Sequence, residues 1–333
     1  MRTRTRLAAV LIGGGMVSAT LGLSGIASAD PSGSPTFRQL SGVGSDTTQD
    51  VMNAMANAVT IGGTKVLGSY DAVGSATIQT KATGCTINRP NGSGAGRTAL
   101  LNSLNANSGA GDGCLDFSRS SSLDTTASTP GLTYIPFAVD SVTYAVTNLS
   151  SIPRSLTLAD LQAYYHCDPS YVGASAPYDV TPMLPQAGSG TRKYWIGQMG
   201  ITEAQISAGA YPCLINGVKN GQTFEEHTGI LIDDKSIAPF SIAQYNAQAT
   251  QTISDRRGRA VLGTIGGTVP NLMNGNFTLK RDVYNVIPTS KLTVSPWSDV
   301  FVGNSSLICQ QTAVIQKYGF ALSPICGDTA NHS

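Results

Sequence analysis

The sequence predicts an α/β protein in which helices carry the chain between strands of the same sheet. Three observations carry this reading. Short runs rich in Val, Ile, Thr and Tyr alternate with helical patterns along the whole chain, which is the pattern of crossover-connected sheets. Loops of small residues open several of the helices, as at "GVGSDT", "GSGAGRT" and "AGSGTRK". The residues from 30 to 333 are also long for one core and comfortable for two.

The first residues read as an address rather than as structure. "MRTRTR" is a basic n-region, "LAAVLIGGGMVSATLGLSGI" a weakly apolar h-region, and Ala27-Ser28-Ala29 a small-residue cleavage site. Residues 1–29 are therefore expected to be a signal peptide cut before Asp30, leaving a secreted, extracellular or periplasmic protein. The arginines are not adjacent, so a twin-arginine signal is not indicated, and no cysteine near the cleavage site offers a lipid anchor. No later run of about eighteen apolar residues predicts a membrane span. The six cysteines, Cys85, Cys114, Cys167, Cys213, Cys309 and Cys326, suit an oxidising compartment, and proximity favours 85–114, 167–213 and 309–326 as disulfides. Of 21 Lys and Arg, 18 remain once Arg2, Arg4 and Arg6 are cleaved, against 20 Asp and Glu. That balance disfavours a nucleic-acid partner, and the densest basic stretch, "DRRGR" at 255–259, reads as a solvated turn.

Along the mature chain, residues 30–38 read as a disordered leader. "GVGSDTTQDVMNAMANAV" is a turn and a helix, with Val51, Met52, Met55 and Val59 on one face and Ser45 or Asp46 as N-cap. "KVLGSYDAV" (65–73) is a short strand. The loop Gly92-Ser93-Gly94-Ala95-Gly96 opens a helix striped by Leu100, Leu101 and Leu104. "GCLDFSRSSS" is a strand running into a serine-rich turn, and "LTYIPFAVDSVTYAVTN" a long extended stretch without helical period. Thr157 and Asp160 form a T-x-x-D cap for the "LTLADLQAYYHC" helix, "GSGTRKYWIGQMG" is a loop-to-helix join, and Thr202 caps a short helix. "KSIAPFSIAQYNAQA" is strand then helix, "RDVYNVIPTSKL" is extended, and Ser305 or Ser306 caps the last helix. There is no internal repeat.

The glycine–serine loops suggest anion binding. A helix N-terminus carries free N–H groups and a partial positive charge, glycine lets the backbone approach a ligand closely, and Ser and Thr hydroxyls add donors. Ligands of α/β proteins gather at strand C-termini. Nucleophile-elbow, P-loop and H-E-x-x-H motifs are absent, the cysteines show no metal spacing, and neither a cofactor nor a metal is expected. Of the three histidines, His166, His227 and His332, only His227 in "FEEHTG" has nearby carboxylates, Glu225 and Glu226. It reads as a surface or packed residue, and a hydrolase pairing His227 with a cleft serine is the rival reading.

The order "GVGSDTTQDVM", "NGSGAGRTALL", "CLDFSRSSS", "YIPFAVDSVTYAVTN", "SLTLADLQAYY", "GSGTRKYW", "IAPFSIAQY" resembles the phosphate-binding proteins of ABC importers, in the type 2 periplasmic-binding-protein superfamily, over about 40–320. The resemblance implies a non-enzymatic, monomeric protein of two α/β lobes, mixed sheets flanked by helices and joined by two hinge crossings, closing on phosphate or a related oxyanion and serving an ABC permease. Lobe I is expected over 36–138 plus 288–333, and lobe II over 139–287, with crossings near "YIPFAVDS" and "YNVIPTS". Carried over residue by residue, the resemblance implies a ligand shell of Asp46, Thr47, Ser93, Gly94, Ser121, Gly188, Ser189, Gly190, Thr191 and Arg192, with Ser75 competing for the place of Ser93. Ser121 stands where the family has an aspartate, and Pro185 where it has an arginine. Arg192, Arg119 and Arg97 are the candidates for a replacement cation, and Asp46 for the lost acceptor. Loss of that charged pair also fits an extracellular interaction module that has given up its ligand.

Overall fold

The computed structural model describes residues 30–105, 113–172, 179–271, 277 and 279–333. The expected signal peptide, 1–29, lies outside the described residues. One ten-stranded mixed sheet organises the molecule. In chain order its strands are β1 (Leu40–Gly44), β2 (Leu67–Ser69), β3 (Phe117–Ser120), β4 (Leu132–Thr147), β5 (Thr181–Leu184), β6 (Ile215–Asn216), β7 (Ser236–Ser241), β8 (Ala260–Leu262), β9 (Lys280–Pro288) and β10 (Ala321–Leu322). The spatial order is β6-β5-β7-β4-β9-β3-β1-β2, with β8 and β10 also pairing with β4.

Two parallel units flank a central antiparallel pair. β1 pairs in parallel with β2 and β3, while β5 pairs in parallel with β6 and β7. Between them β4 and β9 run antiparallel, from Lys280 opposite Ser141 to Pro288 opposite Leu132. The "YIPFAVDSVTYAVTN" run forms a single sixteen-residue strand because its Val, Thr and Tyr residues are buried on both faces along nearly all of its length. The register shifts between Val283 and Tyr284, opposite Pro136 and Ala138. Proline cannot donate to a ladder, so Pro136 is accommodated at this irregularity.

The helices are α1 (Gln49–Ala58), α2 (Ser93–Leu104), α3 (Leu158–Tyr165), α4 (Gly190–Met199), α5 (Glu203–Ser207), α6 (Ile242–Ala249), α7 (Trp297–Phe301) and α8 (Thr312–Lys317). Both polar capping signals form. Thr157 and Asp160 make a reciprocal box on α3, and Thr202 and Gln205 make one on α5. α1 begins later than its cap residues suggest: Thr48 is the N-cap and uses no side-chain bond. Ser45 and Asp46 are drawn inward instead, with Ser45 N–H on the Arg119 carbonyl at 3.0 Å. The last helix also starts late, after Gln311. Ser306 caps only a local turn, accepting from Cys309 N–H at 3.4 Å, and α7 precedes it unanticipated.

Apolar side chains fill both faces of the sheet. The largest cluster runs from Leu40, Met52, Phe117 and Phe301 on one side of the β4–β9 pair to Leu161, Trp195 and Ile237 on the other. Trp195 meets Tyr165 edge-on at 5.8 Å, and each such fully buried side chain contributes about 1.5–3 kcal/mol. Disulfides join Cys85–Cys114, Cys167–Cys213 and Cys309–Cys326, the three pairs that are closest in sequence. Residues 30–38 form neither helix nor strand, yet they do not trail free: Arg38 is buried, and its Nη1 donates to the carbonyls of Ala56 at 2.5 Å and Leu67 at 2.8 Å. The expected disordered leader is thus pinned at its end by two backbone carbonyls.

Candidate functional site

The two parallel units bring their C-terminal edges to one buried place. β1 delivers Ser45, Asp46 and Thr47, and β3 delivers Ser121. The N-terminus of α2 delivers Ser93, and the turn after β5 delivers Ser189 and Thr191 at the start of α4. All seven side chains are buried. Ser93 Oγ lies 3.4 Å from Ser121 Oγ and accepts from Ser121 N–H at 3.0 Å. Thr47 Oγ1 lies 3.3 Å from Ser121 Oγ and 3.4 Å from Thr191 Oγ1. Ser75, the competitor for the place of Ser93, is exposed and donates to the carbonyl of Thr77.

Gly190 makes this convergence possible. A β-carbon there would stand 2.3 Å from Ser121 Oγ and 2.4 Å from Ser93 Oγ, so a side chain would force the hydroxyls apart. Gly92 plays the corresponding part on the other side: its φ is +98°, and a β-carbon would lie 2.7 Å from the Gly188 carbonyl. Gly94 and Gly188 themselves are exposed, and Gly94 N–H donates to Gly188 O at 3.0 Å. That α2 amide is therefore spent on a protein carbonyl, and these two glycines form a seam rather than the expected ligand shell. Outside the seam lies a cavity of about 410 Å³ lined by Ser93, Gly94, Arg97, Gly188, Ser189 and Lys193.

The group held by the cradle is a side chain of the protein itself. Glu226 is fully buried. Thr47 Oγ1 donates to its Oε1, Thr191 Oγ1 donates to the same oxygen at 2.7 Å, and Ser189 Oγ donates to Oε2 at 3.1 Å. Three hydroxyls from two different parts of the sheet thus converge on one carboxylate. Ser189 Oγ also accepts from Arg192 N–H at 3.1 Å, so it caps α4 while binding Glu226. Arg281 supplies the cation: its Nη2 donates to Thr191 Oγ1 at 2.7 Å and to Asp140 Oδ2 at 2.9 Å. Its Nε and Nη1 are buried without a hydrogen-bond partner.

Arg192, the expected cation, turns away. Its guanidinium donates to both Glu203 oxygens at 2.7 Å, to Asn216 Oδ1 at 2.5 Å and to the Pro185 carbonyl at 2.9 Å. The bidentate carboxylate outcompetes the cleft for it. Arg119 lies beneath the cradle, donating to Ser45 O at 3.2 Å and Ser69 Oγ at 3.0 Å. Burial lowers its pKa to about 10. Arg97 lies on the outer side, on the Thr126 carbonyl at 2.6 Å.

Asp46 also departs from expectation. It touches none of the cradle hydroxyls, and its Oδ2 faces His227 Nδ1 at 3.6 Å. Burial, followed by the nearby Glu226 and Glu225 charges, raises its pKa to about 8. With neither oxygen on a cradle hydroxyl, it does not stand in the cradle as the acceptor sought for a protonated ligand. His227 is buried, with Glu225 Oε2 3.3 Å from its Nε2. Burial pulls its pKa down, and the Glu225 and Asp46 carboxylates outweigh burial and raise it. Glu225 is correspondingly lowered: burial opposes, while His227 and the Asn91 amide at 2.9 Å prevail. Neither ring nitrogen of His227 has a hydrogen-bond partner among the described residues, so no hydroxyl is placed to use it as a base. Asp46, Glu225 and His227 each place one ligand-type atom within 4.8 Å of the others.

The sequence reading missed Glu226 and Arg281 as site residues. The visible signal was "FEEHTG", three consecutive ionisable residues in a chain only 12% charged. Arg281 carried no local signal.

Known structures agree with this architecture. A protein from Clostridium perfringens assigned as a phosphate ABC transporter substrate-binding protein, solved with bound phosphate, superposes with a TM-score of 0.55 at 15% identity, over 85% of this chain and 99% of that one. An ABC-type phosphate transport receptor from Vibrio cholerae superposes with a TM-score of 0.54 at 14% identity, over 85% and 100%. The fold is that of phosphate-transport substrate-binding proteins. No family model matches the sequence, and no curated protein matches it. At this identity the superpositions establish the substrate-binding-protein fold and leave the ligand to be argued from the site. No helix among the described residues is long and apolar enough to cross a membrane.

Proposed function

We propose that this is an exported, non-enzymatic solute-binding protein that takes a small oxyanion, phosphate first, in the cradle of Thr47, Ser121, Ser189 and Thr191, and delivers it to an ABC permease as a monomer. Residues 36–138 with 288–333 form one lobe and 139–287 the other, and β4 and β9 carry the hinge crossings between them. The observation that carries the reading is the reception given to Glu226: three hydroxyls donate to its carboxylate, and Arg281 backs one of them. A site that satisfies a carboxylate in this way has the donors that an oxyanion needs. Glu226 is then an internal competitor that leaves when ligand enters.

The same observation favours a second reading, an extracellular interaction module whose cradle is permanently filled. Calorimetry with inorganic phosphate separates the two. In the first, Glu226→Ala binds phosphate at least about tenfold more tightly than wild type, because the competing carboxylate is gone. If neither wild type nor E226A gives heat with phosphate or sulfate, the solute-binding reading fails and the second stands.

A further inference from the structure

We propose that Asp46, Glu225 and His227 form a binding site for a divalent transition-metal ion of the Zn²⁺ class, and that the ion ties the two parallel units of the sheet together. The proposal does not rest on the oxyanion reading.

The first argument is what the donors lack. Both oxygens of Asp46 and both ring nitrogens of His227 are buried without a hydrogen-bond partner. Buried polar atoms are nearly always satisfied, and Asp46 Oδ2 and His227 Nδ1, both unpartnered and 3.6 Å apart, indicate a missing partner between them. The second is charge. Two acidic side chains, Asp46 and Glu225, flank one imidazole, and the Glu226 charge lies near Asp46. The nearby guanidiniums are engaged elsewhere: Arg119 on Ser45 O and Ser69 Oγ, Arg281 on Asp140 and Thr191. Arg256, partly exposed, faces Asp50 at 3.9 Å, and its charge offsets part of the excess at Glu225. A divalent cation would offset the excess where a proton only reduces it.

The third argument is geometry. Ligands about 2.0 Å from a tetrahedral ion lie about 3.3 Å apart. His227 Nδ1 and Asp46 Oδ2 are 3.6 Å apart, Glu225 Oε2 lies 3.3 Å from the other ring nitrogen, and one atom from each of the three residues falls within a 4.8 Å span, so an ion bound through Nδ1 would draw the Glu225 carboxylate inward. Glu225, 10% exposed at its side chain, is the member that reaches solvent and offers an access path. Its other oxygen is oriented by Asn91 Nδ2 at 2.9 Å, and Asn91 is held in turn by Gln186 Nε2 at 2.6 Å. Such an outer shell fixes ligand orientation. One imidazole with two carboxylates suits Zn²⁺ or Mn²⁺ better than Ca²⁺ or Mg²⁺, which take oxygen ligands alone.

The ligands come from separate places, Asp46 from the loop after β1 and the other two from the turn before β7. Glu226 lies between Glu225 and His227, so an ion there would also fix the carboxylate that fills the cradle.

The test is calorimetry of the full chain, stripped with EDTA and dialysed, using ZnCl₂ as the probe. The expected result is one equivalent bound with Kd below about 1 μM. Glu225→Gln should weaken binding at least about tenfold and His227→Ala about a hundredfold, with folding checked by circular dichroism. E225Q alters the member nearest the surface, so it keeps the test valid if H227A does not fold. Zn²⁺ should also raise the Tm of wild type, and E225Q should lose most of that rise. Absence of Zn²⁺ heat in wild type overturns the site and leaves an imidazolium held between carboxylates. Undiminished binding in E225Q overturns it too, placing the ion elsewhere. Neither result bears on phosphate binding, which E226A tests separately.

Discussion

The parallel unit β2-β1-β3 and the parallel unit β6-β5-β7 run in opposite directions across the β4–β9 pair, so their C-terminal ends meet, but they contribute different chemistry to that place. The first unit ends in hydroxyls over a buried arginine. Thr47 and Ser121 line the cradle, and Arg119 beneath them is committed to backbone carbonyls and Ser69. The second brings hydroxyls and acids together, with Ser189 and Thr191 at the start of α4 and Glu225, Glu226 and His227 in the turn before β7. Its arginine, Arg192, is also buried but is turned away from the cradle onto Glu203, which remains half-exposed. One unit thus supplies cradle donors and a single acid, Asp46, set apart from them, while the other supplies donors and the group that uses them. A shared fold fixes where the strand tips meet and leaves open which charges they carry.

The largest expected effect tests the two arginines against each other. Arg119→Ala strands buried carbonyls of Gly42 and Ser45 and opens a cavity, and should cost roughly 3 kcal/mol or more in urea unfolding. Arg192 is buried as well, but its carboxylate partner Glu203 is half-exposed, so Arg192→Ala strands mainly the Pro185 carbonyl and should cost less, roughly 1–2 kcal/mol. Equal losses would remove the distinction between the two arginines.

The glycines sharpen the same contrast. Gly190→Ala drives a β-carbon to 2.3 Å from Ser121 Oγ, and should cost about 1–3 kcal/mol and loosen the hold on Glu226. Gly94→Ala meets nothing nearer than 3.6 Å and should change stability by less than about 1 kcal/mol. Thermal unfolding of the pair decides whether the cradle or the seam is the sensitive surface.

The smallest effect per step is the pH dependence, measured with EDTA present. Asp46 is raised from 3.8 to about 8, so between those values the folded state holds a proton that the unfolded state has released. Stability from this group is complete below about pH 4 and is lost as pH rises towards 8, by at most about 1.4 kcal/mol per pH unit. His227, also raised, acts in the same direction above its ordinary value of 6.5. Asp46→Asn should flatten the fall between pH 5 and 8. An unchanged slope in D46N would place the titration in another group.

Much of this protein follows from local signals in the chain. The alternation of strand and helix, the T-x-x-D cap at Thr157, the glycines before α4 and the nearest-neighbour cysteine pairs each depend on a few adjacent residues. Those are the interactions that sequence spacing reports. The partners of the cradle are not local. Thr47 and Glu226 are separated by 179 residues and Asp140 and Arg281 by 141, so no spacing rule connects them. The folded sheet decided that Glu226 fills the cradle, that Arg281 and not Arg192 is its cation, and that Asp46 faces a histidine. Buried charge is settled by whichever partners the packing brings within hydrogen-bond reach, and the chain alone does not state that distance.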